Sequence, residues 1–354
     1  MPLPKTRRFW NPRRATAGVA ALAAGVLVLS ACSSSEDGAA SSDPNAVTVY
    51  SGRTENLIGP LLAEFTEQTQ IPVDVRYGDS ADLALLINEE GDRSPADVFI
   101  SQSPGAIGFL AGENRLGQIP QEALKRVEPA FRNKDGQWVG LSGRVRVLVY
   151  NKDEVKESDL PPSVFDLTGA DYQGQVALAP TNGSFQDFVT AMRADSGEEA
   201  TQNWLDGMAA NDAVSYANNT AIVEAVGRGE IPMGLVNHYY NARAQAENPD
   251  VASENYFFPN KDIGSLLIAT AMGILDSANQ TQEAQELVTF LLSDSAQEFF
   301  STETSEYPLA KGVPSPPGVP PLDSLEYDTV DLDSLGGGLA KTLEMIEASG
   351  LASS

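Results

Sequence analysis

The feature of this sequence that most limits its fold is a regular alternation of short apolar runs and helix-like segments. Residues 47–50 and 72–76 have the apolar content of strands, and each is followed by a segment with helical spacing of its apolar residues, 57–68 and 83–90. Residues 98–101 predict the next strand. An alternation of this kind is typical of a largely parallel sheet covered by helices. We therefore expect an α/β fold.

The alternation continues towards the C-terminus, and we find no internal repeat. Further strands are predicted over residues 145–150, 176–179, 231–236 and 265–274. Further helices are predicted from Phe185 and over residues 201–210, 222–227, 281–292, 295–301 and 339–348. Because two such α/β units follow one another and are joined by strands, we expect two lobes around a cleft. Ligands in such sheets bind outside the carboxyl ends of the strands.

The N-terminus predicts a targeting signal rather than part of the fold. After several basic residues, positions 15–29 form an apolar stretch that is shorter than the about 20 residues of a membrane span. The stretch ends in LSAC, which resembles a bacterial lipoprotein box with Cys32 as the lipidated residue. We predict removal of residues 1–31, anchoring of Cys32 in the outer face of a membrane, and a flexible tether over residues 32–46. Two arginines at positions 7 and 8 leave both Sec and twin-arginine export open.

The charge of the chain argues against a nucleic-acid partner. The net charge is −26, and it becomes −31 without the first 31 residues, which carry five basic side chains and no acidic one. Such a surface repels nucleic acid and anionic lipid. The chain has one histidine and one cysteine, too few for a zinc site or an internal disulfide. No serine stands out as the partner of this histidine in a catalytic triad, so we expect a protein that is not an enzyme.

Polar clusters are found where ligands of an α/β fold bind. Three of them, residues 51–54, 101–103 and 237–240, follow predicted strands. A fourth, residues 182–184, precedes a predicted helix, where free backbone N–H groups attract an anion. We expect these clusters to lie at the cleft.

The stretch VNHYYNARAQ, which begins at Val236, has two adjacent phenols, Tyr239 and Tyr240, at the end of a predicted strand. Such a pair usually serves packing. A phenolate is also a hard oxygen donor, but it needs a strongly polarising cation because the pKa of a free phenol is about 10. Ferric iron is such a cation. Two phenolates leave a ferric ion with one positive charge, and an anion at residues 182–184 would complete the site.

Several motifs together resemble the ferric-ion-binding solute-binding proteins of ABC-type iron importers. The resemblance covers residues 47–351, and its motifs are TVYSGRTEN, SPADVFIS, LSGRVRVLVYNK, LAPTNGSF, YANNTAIVEAVGRGEI, NHYY and EYPLAKGV. It implies two tyrosinate ligands of Fe(3+), Tyr239 and Tyr240, and four residues that hold a synergistic anion, Asn182, Ser184, Asn219 and Asn237.

Two positions depart from the best-known members of this family. In those members a histidine and an acidic residue of the first lobe also bind iron, and these positions fall at Thr54 and Gln102 here. One expectation is that the second lobe and an anion hold the iron, with Thr54 and Gln102 in contact only through water. The other is a larger anion such as citrate, with which Arg53 and Arg144 could pair. The default expectation for these two arginines is that they lie solvated on the surface.

The resemblance implies an α/β, two-lobed periplasmic-binding-protein-like fold of type 2, with a ligand cleft between the lobes and a two-strand hinge. We place lobe 1 at residues 47–142 plus 270–312 and lobe 2 at residues 143–269 plus 313–351. The hinge is predicted near residues 142–145 and 267–270, where closure around the ligand would occur.

The implied function is that of a lipid-anchored monomer outside the cell membrane, which binds ferric iron with phosphate, carbonate or citrate. The protein would deliver the iron to the permease and ATPase subunits of an ABC importer. The alternative is a binder of an organic anion, namely a sugar phosphate, a phosphonate or a ferric-citrate-like chelate, in which the same Asn and Ser residues hold the anion.

Overall fold

The computed structural model describes residues 43–102, 104–328 and 338–353. The predicted signal segment, Cys32 with the tether as far as residue 42, and Ser103 lie outside the described residues. Among the residues that are described, no helix is both long enough and apolar enough to span a membrane.

Strands and helices alternate over most of the described chain. The strands are β1 Val47–Ser51, β2 Val73–Tyr77, β3 Val98–Ser101, β4 Trp138–Asn151, β5 Val176–Leu178, β6 Val214–Ser215, β7 Met233–Asn237, β8 Ser253–Tyr256, β9 Leu267–Ile274 and β10 Tyr307–Pro308. The α-helices are α1 Glu55–Thr69, α2 Ser80–Glu90, α3 Pro104–Gly112, α4 Gln121–Lys125, α5 Gly183–Ser196, α6 Glu198–Ala210, α7 Asn219–Gly227, α8 His238–Glu247, α9 Thr281–Leu291, α10 Asp294–Thr302 and α11 Leu339–Ser349.

The strands form one mixed sheet in the order β2-β1-β3-β9-β4-β7-β5-β6, and β8 and β10 also pair with β4. The pairs at both flanks, β1 with β2 and β3 and β5 with β6 and β7, are parallel as predicted. The central pairs of β4 and β9 are antiparallel. The prediction of a largely parallel sheet therefore holds for the flanks and not for the centre.

Strand β4 connects the two groups of parallel strands. It is 14 residues long and buried along its whole length. Its partner changes from β9 to β7 between Val145 and Arg146. Ser142 pairs with Thr270 and Val145 with Leu267, so the two segments predicted as a hinge lie directly opposite each other. Their role as a hinge stays a prediction.

Only the second half of β4 was predicted, because Gly140, Ser142 and Gly143 interrupt the apolar run before it. The structure explains Gly140 by close packing. A Cβ atom at this position would lie 2.8 Å from Leu309 Cδ1 and 2.9 Å from the Phe131 carbonyl oxygen. Glycine therefore lets β4 pass this neighbour while remaining in the sheet.

The predicted helices are all present, with ends that differ from the predictions by at most three residues. Helix α1 shows why periodicity was informative: Ile58, Leu61, Leu62 and Phe65 share one face and are buried. Helices α3, α4 and α8 and the short strands β6, β8 and β10 were not predicted. Helix α8 matters most for function, because it places Tyr239 and Tyr240 in its first turn and not, as expected, at the end of a strand.

Candidate functional site

The predicted polar clusters meet at a cavity of about 230 Å³. Residues that follow β1, β3, β5 and β7 line it together with one side chain of β4, and they include Gly52, Gln102, Asn182, Ser184, Tyr240 and Arg144. The carboxyl ends of strands from both groups of the sheet therefore contribute to one site, as expected for ligand sites of α/β sheets.

Three of the residues predicted to hold an anion form one hydrogen-bonded cluster at the start of α5. Asn182 is the N-cap of this helix, and its Oδ1 accepts hydrogen bonds from the Ser184 backbone N–H at 3.1 Å and the Ser184 hydroxyl at 2.7 Å. Asn219, which begins α7, donates from Nδ2 to Asn182 Oδ1 at 3.2 Å and to Ser184 Oγ at 3.0 Å. We call Asn182, Ser184 and Asn219 the anion cluster. The adjoining helix N-terminus favours negative charge at this place.

Arg146 joins the fourth predicted anion residue, Asn237, to the anion cluster. It faces Asn237 across the β4–β7 pair, and its Nη1 donates to Asn237 Oδ1 at 3.3 Å and to Ser184 Oγ at 3.5 Å. Arg146 is only 1% exposed, and within the described part of the chain its Nε and Nη2 and the Asn237 Nδ2 have no hydrogen-bond partner. Buried donors are rarely left unpaired, because each one costs about 1–3 kcal/mol. These donors are therefore suited to the oxygen atoms of a bound anion.

Arg146 keeps its charge at neutral pH despite this burial. Burial lowers the pKa of Arg146 to about 10, and the phenols of Tyr240 and Tyr239 act in the opposite direction. Neither Arg146 nor Arg144 forms an ion pair with a carboxylate among the described residues. Arg144 lines the cavity and Arg146 lies beside it, while two carboxylates, Asp79 and Asp187, also line it.

Sequence reasoning did not identify Arg146. The available signal was its position in β4, where it is a charged residue within an apolar run and lies two residues from Arg144, on the same face of the strand. Arg144 itself is buried and donates from Nη2 to the backbone oxygen of Gln102. Gln102 is held further by its backbone N–H, which donates to Ser80 Oγ at 3.0 Å.

The two tyrosines stack on each other, with ring centroids 4.2 Å apart and an interplanar angle of 28°. Tyr240 lines the cavity, whereas Tyr239 is 3% exposed and lies behind it. The guanidinium carbon of Arg243 lies 4.9 Å from the centroid of the Tyr239 ring. Burial, with a further contribution from Tyr240, raises the pKa of Tyr239 well above its ordinary value. Ionisation of Tyr239 therefore requires a strongly charged cation at its oxygen.

His238 makes hydrogen bonds with both ring nitrogens. Its Nδ1 accepts from the backbone N–H of Val145 at 3.1 Å, and its Nε2 lies 3.0 Å from the carbonyl oxygen of Ser305, to which it donates. Burial lowers the pKa of His238 to about 4, so the ring is neutral at physiological pH. This arrangement is that of a structural residue and not of a metal ligand.

The two predicted ligand contacts in the loop after β1, Arg53 and Thr54, differ from each other in burial and in partners. Arg53 is buried, and its Nη1 and Nη2 bind the Glu306 carboxylate at 3.0 and 3.1 Å, so the expectation of a solvated arginine is wrong here and equally for Arg144. Thr54 is exposed at the start of α1, and its hydroxyl donates to Asn56 Oδ1 at 2.6 Å. Neither residue belongs to the described lining of the cavity.

The donor set of the site is unusual for a metal. The described residues contain no group of three His, Cys, Asp or Glu side chains that could hold a metal ion. The oxygen donors in the lining include the phenol of Tyr240 and the carboxylates of Asp79 and Asp187, and Tyr239 stacks directly on Tyr240.

Comparison with known proteins places this chain in a family. The family model described as bacterial extracellular solute-binding protein matches residues 93–324. The Fe(3+)-binding periplasmic protein of Serratia marcescens is 30% identical over 316 residues, which are 88% of this chain and 92% of that protein. The major ferric iron-binding protein of Neisseria meningitidis serogroup A is 34% identical over 290 residues, 80% of this chain and 87% of that protein.

The fold comparison gives the same result. The iron-bound HitA structure from Pseudomonas aeruginosa superposes with a TM-score of 0.79 at 33% identity and covers 87% of this chain and 100% of that chain. This confirms the predicted α/β fold of the two-lobed, type 2 periplasmic-binding-protein class. The chain belongs to the bacterial extracellular solute-binding protein family, and the relatives that it matches over most of their length are ferric-ion-binding proteins.

Proposed function

We propose that this chain is the substrate-binding protein of an ABC importer and that it binds ferric iron together with an anion. The observation that carries the proposal is that Tyr240, Asn182 and Ser184 line one cavity. Tyr239 stacks on Tyr240, and Arg146 and Asn219 contact Ser184 from beside the cavity. The ferric iron-binding relatives favour this function over that of a binder of a sugar phosphate or phosphonate.

Charge balance explains why an anion belongs to the site. A ferric ion bound by two phenolates keeps one positive charge, and the buried guanidinium groups of Arg144 and Arg146 lie near the carboxylates of Asp79 and Asp187. An anion such as phosphate, carbonate or citrate balances the remaining positive charge and supplies oxygen ligands to the iron. Citrate is present with iron in the related Trichodesmium protein, which has 26% identity to this chain, a TM-score of 0.75, and coverage of 86% of this chain and 99% of that chain.

In this proposal, the predicted first lobe makes fewer contacts with the ligand than the predicted second lobe. Gln102 reaches the cavity and contacts the ligand directly or through water, whereas Thr54 and Arg53 would reach it only after closure of the lobes. Closure would use the paired segments of β4 and β9 as the hinge and would present a joined surface to the permease.

The proposal also includes the location and partners of the protein. Lipid on Cys32 would hold a monomer at the outer face of the cell membrane, and ATP hydrolysis would take place on other subunits. Metabolic labelling with an alkynyl fatty acid tests the anchor, because labelling would be lost in Cys32→Ser. Labelling of that variant would contradict the assignment.

The test of iron binding is a ferric titration of the apo protein with phosphate, carbonate or citrate present in turn. We expect a visible phenolate-to-iron charge-transfer band, which is lost in Tyr240→Phe and in Tyr239→Phe. Tyr77→Phe is the matched control, because Tyr77 lies partly exposed at the edge strand β2. A colourless protein that is stabilised against heat by phosphate esters would refute the iron proposal.

A further inference from the structure

The segment between α10 and β10, residues 304–306, contacts parts of the molecule that lie far apart in sequence. Thr304 and Glu306 are both 1% exposed, and Ser305 has a φ of 55° in the left-handed region. This region is unfavourable for a residue other than glycine, so the surrounding contacts must hold the backbone in place. We call residues 304–306 the bridging segment.

On one side, the bridging segment binds the helix that carries the tyrosines. The carbonyl oxygen of Thr304 accepts from Arg243 Nε at 3.2 Å and Nη2 at 2.8 Å, and that of Ser305 accepts from His238 Nε2 at 3.0 Å. Arg243 and His238 also flank the Tyr239 ring, one over its face and the other at its edge, with ring centroids of His238 and Tyr239 6.0 Å apart. The bridging segment therefore holds two of the side chains that contact the Tyr239 ring, and Tyr240 is a third.

On the other side, Glu306 binds the loop that follows β1. Its carboxylate pairs with Arg53 through two hydrogen bonds, at 3.0 and 3.1 Å, and both side chains are buried. Arg53 directly follows Gly52, which lines the cavity. The loop of the first strand is thus joined to the bridging segment by an ion pair.

The same two charged groups also touch both strands of the predicted hinge. Ser142 of β4 donates to Glu306 Oε2 at 2.5 Å, and Arg53 Nη1 donates to Thr270 Oγ1 of β9 at 3.0 Å. Ser142 and Thr270 face each other in the β4–β9 pair. A change in the relative position of these strands must alter the contacts of Arg53 or Glu306.

Stability alone is a weak explanation for this ion pair. Desolvation of two buried charges often costs as much as their attraction returns, and apolar residues of similar volume are then equally stabilising. The pair differs from an apolar contact in its geometry, because its hydrogen bonds fix the orientation of each side chain. The geometry of the Arg53–Glu306 pair therefore fits a contact that fixes the relative positions of the segments it joins.

We infer that Arg53 and Glu306 are positioning residues for the ligand site, which couple the loop after β1 and the hinge strands to the orientation of Tyr239 through the bridging segment. The inference rests on the proposed ferric function. It assigns to Arg53 a role that needs no contact with the anion.

The test removes the ion pair as a unit. Arg53→Met and Glu306→Leu are combined in one variant, because either change alone leaves an unpaired buried charge. We expect the double variant to melt close to the wild-type temperature, but to release iron to a competing chelator at least about five-fold faster, with a shifted charge-transfer band. A double variant with the wild-type band and release rate would show that the pair is only structural and would overturn the inference.

A second variant keeps the inference testable if the double variant does not fold. Arg53→Lys keeps a positive charge beside Glu306 but loses the forked geometry that reaches both Glu306 and Thr270. Faster iron release at an unchanged melting temperature supports the coupling, and unchanged release contradicts it. The control is Arg115→Gln with Asp92→Asn, which removes an exposed ion pair of 3.2 Å away from the cavity and should change neither quantity.

These outcomes separate the two proposals. If the wild-type protein shows no charge-transfer band with any of the three anions, the ferric function fails. If the wild-type protein binds iron and both Arg53 variants behave like it, only the coupling fails.

Discussion

Replacement of Arg146 by methionine separates the requirements of folding from those of the ligand site. Burial lowers the pKa of Arg146 from its ordinary 12.5 to about 10, so the charged form costs about 3 kcal/mol in the folded protein. This cost is present at every pH below about 10 and disappears only as the group is deprotonated above it. Methionine fills a similar volume without the charge and therefore removes the cost.

The interactions that are lost offset part of this gain. The hydrogen bonds of Arg146 to Asn237 and Ser184 are long, at 3.3 and 3.5 Å, and are each worth about 1 kcal/mol or less. The guanidinium also lies 5.3 Å from the Phe188 ring centroid, a contact worth about 1 kcal/mol. We therefore expect the free energy of unfolding of the apo protein to change by less than about 2 kcal/mol.

The effect on the ligand should be much larger. Two unpartnered donors of Arg146 would each form a charge-assisted bond to the anion, worth about 1.5–3 kcal/mol, so the affinity for iron with phosphate should fall by about 100-fold or more. Urea unfolding of the apo protein and the ferric titration measure the two quantities. Arg146→Lys, which keeps the charge, is the control and should lose less affinity. Strong destabilisation of the apo protein with unchanged iron affinity would refute the assignment of Arg146 to the anion.

Three further predictions concern other parts of the site. Gln102→Glu places a carboxylate in the cavity lining and should slow iron release and reduce its dependence on phosphate, whereas Gln102→Ala should do neither. Release rates in a chelator competition decide between these outcomes. Because burial lowers the pKa of His238 from 6.5 to about 4, the unfolded chain binds more protons between these values, and stability should fall by about 3 kcal/mol as the pH drops from 7 to 4. Urea unfolding at both pH values should show this loss in the wild type and a smaller one in His238→Gln; equal losses would contradict it. Asn182→Ala removes the N-cap of α5 and should cost about 1 kcal/mol of stability and weaken phosphate-dependent iron binding, whereas Asn45→Ala, at an exposed turn, should leave both unchanged.

Local patterns in the sequence predicted most of the fold. The apolar spacing of α1 and the apolar run of β9 identify each element without knowledge of its neighbours. Helix α8 was missed because two tyrosines and a histidine at its start interrupt any apolar stripe, and its buried side includes polar residues such as Asn241. In the folded chain this segment packs against β4, β7 and β8, and the sequence does not reveal these neighbours.

The site residues likewise divide into those that local sequence patterns predict and those that depend on distant partners. The anion cluster was predictable where it is local, since Asn182 and Ser184 form an N-terminal helix turn that the sequence shows directly. Arg146 was not predictable by the same reasoning, because its partner Asn237 is 91 residues away and the contact depends on the register of β4 with β7. The role of Arg53 depends likewise on Glu306, which reaches it only through the folded chain.

The place of β9 in the sheet has a consequence for how the chain folds as it is made. β9 lies between β3 and β4, so these two strands cannot be joined until the ribosome has passed residue 274. Strands whose partners are distant in sequence pair late, which slows folding and leaves unpaired strand edges exposed. Fragments that end before Leu267 should therefore fail to fold, and the chain should remain extended for most of its synthesis. Such a delay would suit export of the unfolded chain and would hinder export of a folded one.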